Sequence, residues 1–267
     1  MSSLTLHLAA WISLLPATLL AWRARSARPT AFWLLIAVAV AGSVALLIAV
    51  NRPAWRTDFA TSLWFTILAC LIAFVAVALA MRSAARLAPL LLPYLCLVGA
   101  LAIVWHGAAG QAVTTAAPTS WLAVHIGVSL ATYALLTLAA VAGLAMLIQE
   151  RALKAKRRDG IAMLLPSVSD CERLEFRLLA WAELVLGVGL ATGMAMAYLS
   201  SGKLLPVDHK VILSLAAFAV IGLLLIAHRF AGLRGRRATR WVLSAYLLLT
   251  LAYPGVKFVS EVLLGRV

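Results

Sequence analysis

The stretch 204-LLPVDHKVILSLAAFAVIGLLLIAHRFAGLRGRRATR-240 decides how the chain is read. From Val211 to Ala227 it carries no charge, and a run of that length suits an α-helix crossing the hydrocarbon core of a bilayer. Five arginines close it, Arg229, Arg234, Arg236, Arg237 and Arg240, and the cluster Asp208-His209-Lys210 opens it. Basic clusters stay cytoplasmic, so the arginine end is predicted inside and the Asp-His-Lys end outside. This helix then carries a histidine at each membrane face. His209 and His228 are separated by roughly 28 Å of helix and cannot ligate one ion.

The rest of the chain has the same character. Of 267 residues, 64% are hydrophobic and 12% charged, with mean hydropathy +1.03. No soluble domain of this size has enough interior for that much apolar surface, so lipid is the expected solvent. The net charge of +14 falls in short loops between apolar segments, not on one face or tail, which excludes a nucleic-acid-binding reading. Cys70, Cys96 and Cys171 are scattered and form no C-x-x-C, so no disulfide framework or structural zinc site is expected. The opening MSSLTLH lacks the basic start of a signal peptide, and arginines follow the first apolar segment instead. That segment is read as a retained helix.

Eight apolar segments follow in order: Leu4 to Trp22, Ala31 to Val50, Thr61 to Ala80, Pro89 to Trp105, Trp121 to Ile148, Leu178 to Leu199, Val211 to Ala227 and Trp241 to Leu264. None alternates as a barrel strand would, and only helices satisfy their own backbone groups in lipid, so the expected fold is all-α and polytopic. Arg23, Arg25, Arg28, Arg82, Arg86, Arg151, Lys154, Lys156, Arg157, Arg158, Arg173 and Arg177, with the five arginines above, make seventeen of the 23 Lys and Arg residues on one side. That bias predicts eight transmembrane helices with both termini outside. Trp22, Trp55, Trp105, Trp121, Trp241 and Tyr253 lie at or near segment ends, where amphipathic rings prefer the headgroup zone. The mixed run after Ile148 is expected to prolong the fifth helix into the cytoplasm, Leu164-Leu165-Pro166 to break it, and Ser169 or Asp170 to cap the turn leading onward. Cys171 in that loop is then expected to meet an impermeant thiol reagent only after lysis. A single transmembrane domain spans 1–267, with four N-terminal helices in 1–120 and a second helical half in 121–264.

Candidate chemistry is sparse. His7, His106, His125 and His209 fall at the outer face and His228 at the inner one. A lone interfacial imidazole usually does no more than bond to headgroups or water, and His7 and His106 are read so. His125 differs, since HIGVSLATY sets it within an otherwise apolar helix, where imidazoles converging from several helices bind haem iron or a metal. Glu183, an acid in an apolar setting, is expected to pair with Arg177 or Arg229. There is no nucleophile–base pair, phosphate loop or H-E-x-x-H, which points to an accessory factor and away from an enzyme.

Three blocks carry a resemblance: HIGVSLATYALLTLAAVAGLAMLIQERALK from His125, LLPSVSDCERLEFRLLAWAELVLGVGLATG from Leu164, and VDHKVILSLAAFAVIGLLLIAHRFAGLRGRRA from Val207. In this order they resemble the cytochrome c assembly membrane proteins, and within them the HemX-like and YpjD-like branch of bacterial inner-membrane proteins. The resemblance covers His125 to about Pro254, while the first four helices match in hydropathy. It implies a multi-pass inner-membrane protein that binds or presents haem, non-covalent and b-type, during assembly of c-type cytochromes with other biogenesis proteins. It also implies His125 as an outer haem ligand, His228 as a histidine near the cytoplasmic face, and Asp208 and His209 within the run that closes the family's tryptophan-rich segment. Between Ser200 and Lys210 this chain reads SSGKLLPVDHK, without those tryptophans. That departure keeps open an alternative from another class, a cofactor-free regulatory or scaffolding protein acting through its basic cytoplasmic loops.

Overall fold

A computed structural model describes residues 3–23, 30–51, 58–107, 119–156, 160–202, 209–255 and 258–259. All regular structure among them is helical. The helices are α1 (Ser3–Arg23), α2 (Thr30–Asn51), α3 (Phe59–Ala80), α4 (Ala88–Val104), α5 (Thr119–Lys154), α6 (Val168–Ser201), α7 (His209–Ala231) and α8 (Arg236–Thr250). A 3-10 segment, Arg82–Leu87, leads into α4, another, Gly160–Met163, lies between α5 and α6, and a π-helical turn, Leu251–Gly255, continues α8. Among the described residues seven helical stretches, the first seven in chain order, are long and apolar enough to cross a membrane.

Local chemistry sets the boundaries. Asp58 caps α3 by accepting from the Thr61 amide at 2.9 Å. Ser167, not Ser169 or Asp170, caps α6 by accepting from the Asp170 amide, and α6 therefore starts ten positions before its apolar segment. Gly202 ends α6 at φ +70, in the left-handed region that glycine enters without strain. The charged run after Ile148 does continue α5, to Lys154, where the chain leaves the helix. At 36 and 34 residues, α5 and α6 exceed a bilayer core by several turns and extend together beyond it as a stem. The eighth segment begins earlier than expected, because Arg236, Arg237 and Arg240 lie within the first turns of α8. Near Pro254, which has no N–H to continue an α-helical ladder, the backbone widens into the π turn.

Two groups of helices meet side by side. In the first, α1 packs on α2 and α4, and α3 on α2 and α4; in the second, α5 and α6 form the most extensive pair, α7 packs on α6 and α8, and α8 on α5. The α3–α5 contact joins them. Large apolar side chains such as Leu19, Leu34, Leu79, Leu223 and Phe230 face outward around the bundle, as expected for a protein dissolved in lipid. Hydroxyls inside the bundle donate back to their own helix: Ser43 to the Ala39 carbonyl, Thr66 to Ser62, Thr132 to Val128 and Thr137 to Tyr133. In lipid no water can take that role.

The helix ends sort onto two faces. On one, His7 of α1 meets Trp64 of α3 and His106 beyond α4, and Trp121 of α5 meets Thr192 of α6. On the other, Arg86 donates to the Met163 carbonyl at 3.2 Å, Arg234 lies 3.8 Å from Glu172, and His228 stacks on Phe176. Gln149 closes the segment between α5 and α6, its carboxamide nitrogen bonding the carbonyls of Ala162, Leu165 and Pro166 at 2.8, 3.3 and 2.8 Å.

Candidate functional site

His125 lies one turn inside α5 at the face shared by Trp121 and the end of α6. Its Nδ1 is 3.0 Å from the Thr192 hydroxyl, and that hydroxyl donates its own proton to the Gly189 carbonyl at 3.0 Å. Thr192 therefore offers His125 only lone pairs, so His125 Nδ1 carries the proton and donates. The consequence falls on the other ring nitrogen. Nε2 keeps an unprotonated lone pair in a fixed orientation, the arrangement found around metal-binding histidines, whose second nitrogen is held by an acceptor.

Space is provided beside it. A cavity of 390 Å³ is bounded by His125, Ser129 and Tyr133 of α5, Gly189, Gly193 and Met194 of α6, Ser214 of α7, and Leu249 of α8, among others. Apolar side chains make most of its wall, with a few hydroxyls at separated points. Gly193 packs closely on the imidazole: a Cβ there would lie 3.1 Å from His125 Cε1 and would press on the ring by a few tenths of an ångström.

The other expected residues are placed less favourably. His228 stacks on Phe176 with centroids 3.4 Å apart, and its Nδ1 bonds the Leu233 carbonyl at 3.0 Å. Phe176 and Thr192 are sixteen positions apart on α6, so His228 lies ~24 Å along the helix from His125 and shares no ligand atom with it. Asp208 lies outside the described residues, and of His209 only the backbone, at the start of α7, is described. Among the described residues Glu183 pairs with no arginine, neither Arg177 nor Arg229. Its Oε2 is buried with no hydrogen-bond partner among them, and its Oε1 would be 3.0 Å from a Cβ on Gly222 of α7.

Two groups escaped the sequence reading. His7 is buried, not loosely interfacial: Trp64 donates to its Nδ1 at 2.9 Å, and the His106 ring lies 5.9 Å away, centroid to centroid. Since Nδ1 accepts, neutral His7 carries its proton on Nε2 and presents a donor where a metal ligand needs a lone pair. The described residues contain no cluster of three His, Cys, Asp or Glu able to hold a metal ion. Glu175, in a run that reads as a solvated helix start, is wholly buried. Thr239 of α8 donates to its Oε2 at 3.3 Å, and Gly143 of α5 makes room for its Oε1.

Known proteins resemble this chain along most of its length. A model of the family described as Cytochrome C assembly protein matches residues 4–264. A protein of Azospirillum brasilense described as "Uncharacterized 28.8 kDa protein in nifR3-like 5'region" is 50% identical over 263 residues, 97% of each chain. The "Inner membrane protein YpjD" of Escherichia coli (strain K12) is 31% identical over 145 residues, 54% of each chain.

Proposed function

The chain belongs to the cytochrome C assembly protein family, and from that premise we propose that it is a haem-handling protein of the bacterial inner membrane, assisting cytochrome c biogenesis. Membership supports the role in cytochrome c biogenesis, and the His125 site supports the narrower reading. In that reading eight helices span the membrane, both termini lie outside, and the His125 cavity opens toward the outer face, where c-type cytochromes are completed.

The single observation that carries the reading is the anchoring of His125 by Thr192 beside the cavity. With the Thr192 proton on the Gly189 carbonyl, His125 Nδ1 is the donor and Nε2 is left with the lone pair that an iron ligand requires. The residues present fit the group: one imidazole ligand, an apolar wall from Leu186, Leu190 and Leu249 that excludes water, and Gly193 leaving the ring free of pressure. What the cofactor supplies when bound is its iron and porphyrin as cargo for an apocytochrome. His125 holds and orients it; Asp208 and His209 remain assigned to the outer site on the resemblance alone. His228, stacked on Phe176, contributes to the cytoplasmic end and not to this ligand.

Protein purified in detergent from haem-replete cells should give a b-type pyridine haemochrome spectrum near one haem per chain. His125→Ala should lose it. A colourless wild-type protein from such cells would overturn the reading.

One observation favours the alternative, a cofactor-free scaffold. Gln149 and Arg86 hold residues 162–166, between α5 and α6, in a defined conformation close to the basic end of α5. On that reading, replacing Lys154, Lys156, Arg157 and Arg158 together abolishes the cellular phenotype while all five histidines tolerate exchange. Failure of the histidine variants would count against it.

A further inference from the structure

The His125 cavity has a second polar end. Tyr133 lines it, eight positions farther along α5, about 12 Å of helix from His125. The Tyr133 hydroxyl is 3.1 Å from that of Tyr246 and 3.2 Å from that of Thr250, both on α8. The Tyr246 hydroxyl is in turn 2.5 Å from that of Tyr94 on α4. Three phenols from three helices are thus linked in the apolar middle of the bundle. A buried polar network of this kind is costly in lipid and commonly marks a working site.

The protons can be assigned by counting donors and acceptors. Thr250 donates to the Tyr246 carbonyl at 2.8 Å, so it offers Tyr133 only lone pairs. If Tyr133 donates to Thr250, Tyr246 donates to Tyr133 and Tyr94 donates to Tyr246, and all four hydroxyl protons are placed. In the opposite direction the proton of Tyr94 turns back on Tyr133. The open direction, Tyr94 to Tyr246 to Tyr133 to Thr250, is the one that leaves Tyr133 with its donor aimed at Thr250. Each phenol that accepts a hydrogen bond becomes a stronger donor, so polarisation accumulates at Tyr133. Thr250 has its own proton placed without the Tyr133 contact, so that contact can be given up without stranding it.

We propose that this phenol chain is a binding subsite: Tyr133 turns its O–H from Thr250 to a carbonyl-type oxygen on the molecule that His125 ligates. The inference rests on the haem reading and adds the second contact. The cavity selects a flat apolar ligand with a metal centre at the His125 end and a carboxyl or ester oxygen at the Tyr133 end. Tyr133 makes the contact; Tyr246 and Tyr94 act through it as positioning residues.

The experiment titrates the purified full-length protein with three iron porphyrins: haem, its dimethyl ester, and etiohaem, whose ring carries only alkyl groups. Wild type should bind haem and the ester with similar affinity and etiohaem about tenfold more weakly, the expected effect of one good hydrogen bond. Tyr133→Phe should bind all three alike, at the etiohaem level, with the His125-dependent absorption spectrum unchanged. Tyr246→Phe should narrow the preference without abolishing it, which a merely structural role would not do. Equal wild-type binding of haem and etiohaem would overturn the subsite while leaving the haem reading intact, as would a preference surviving in Tyr133→Phe. Tight binding of haem but not of its ester would replace the phenol subsite with a charge-dependent one. Failure of wild type to bind any of the three would overturn the haem reading and the subsite with it.

Discussion

Gly143→Ala adds one methyl group where α5, α6 and α8 come closest. A Cβ built there lies 2.6 Å from Glu175 Oε1, 2.7 Å from Thr239 Cγ2 and 3.2 Å from Glu175 Cδ. Carbon atoms pack best at about 3.5–4.0 Å, so the neighbours must retreat by nearly 1 Å. Neither can do so cheaply, because Glu175 and Thr239 are both wholly buried and bonded to each other. Overpacking of this kind costs roughly 1–3 kcal/mol, and two simultaneous clashes argue for the upper end. Alanine returns about 1 kcal/mol through its better helix propensity. The net expectation is a destabilisation of about 2 kcal/mol. It should appear as a lower unfolding midpoint of the detergent-solubilised protein under a denaturant such as SDS. Thr239→Ser in the same background removes Cγ2 but keeps the hydroxyl on Glu175, and should recover part of the loss. A Gly143→Ala protein as stable as wild type would show that the three helices do not approach so closely, and the account of Glu175 would fall with it.

Thr192→Val removes the acceptor for His125 Nδ1–H without changing the side chain's shape; haem affinity should drop about 10–100-fold, as loss of an outer-shell partner does elsewhere, with Thr192→Ser near wild type in the same titration. Gln149→Leu deprives three carbonyls of their donor, so limited proteolysis within residues 160–167 should accelerate several-fold while the spectrum of bound haem stays unchanged. For topology, a cysteine at Thr115, outside the described residues, should react with an impermeant maleimide in intact cells, and Arg236→Cys only after lysis. Labelling of Arg236→Cys in intact cells would invert the orientation. Native Cys171 corrects the sequence expectation: it is wholly buried, so it should stay unlabelled even after lysis until the protein is denatured.

Hydropathy alone located the seven described helices long and apolar enough to span a membrane, because a span is announced by every residue within it. Their ends on the face of Arg86, Glu172 and Phe176 were harder. The early start of α6 at Val168 runs through Asp170, Glu172, Arg173 and Glu175, residues that resemble solvated loop. His125 was legible as a lone polar residue in an apolar helix, but Thr192, which gives it a defined tautomer, carries no signal in the sequence. The same holds for His7, whose partner Trp64 is 57 positions away. Glu183 was read correctly as anomalous and wrongly as an arginine partner, since distance along a helix is legible and packing between helices is not.

The order in which the chain leaves the ribosome gives the phenol chain another meaning. Tyr94 enters the membrane with α4 and Tyr133 with α5, and both wait for Tyr246, supplied by α8, the last of the described α-helices. Phe258, beyond that helix, also completes the aromatic packing on Phe59 and Trp105. Until α8 is inserted, Tyr94 and Tyr133 lack the hydroxyls of Tyr246 and Thr250, and the cavity lacks one wall. A chain truncated before Arg236 would therefore expose a polar defect inside the bilayer, the kind of lesion membrane proteases recognise. The binding site is complete only once α8 has joined it.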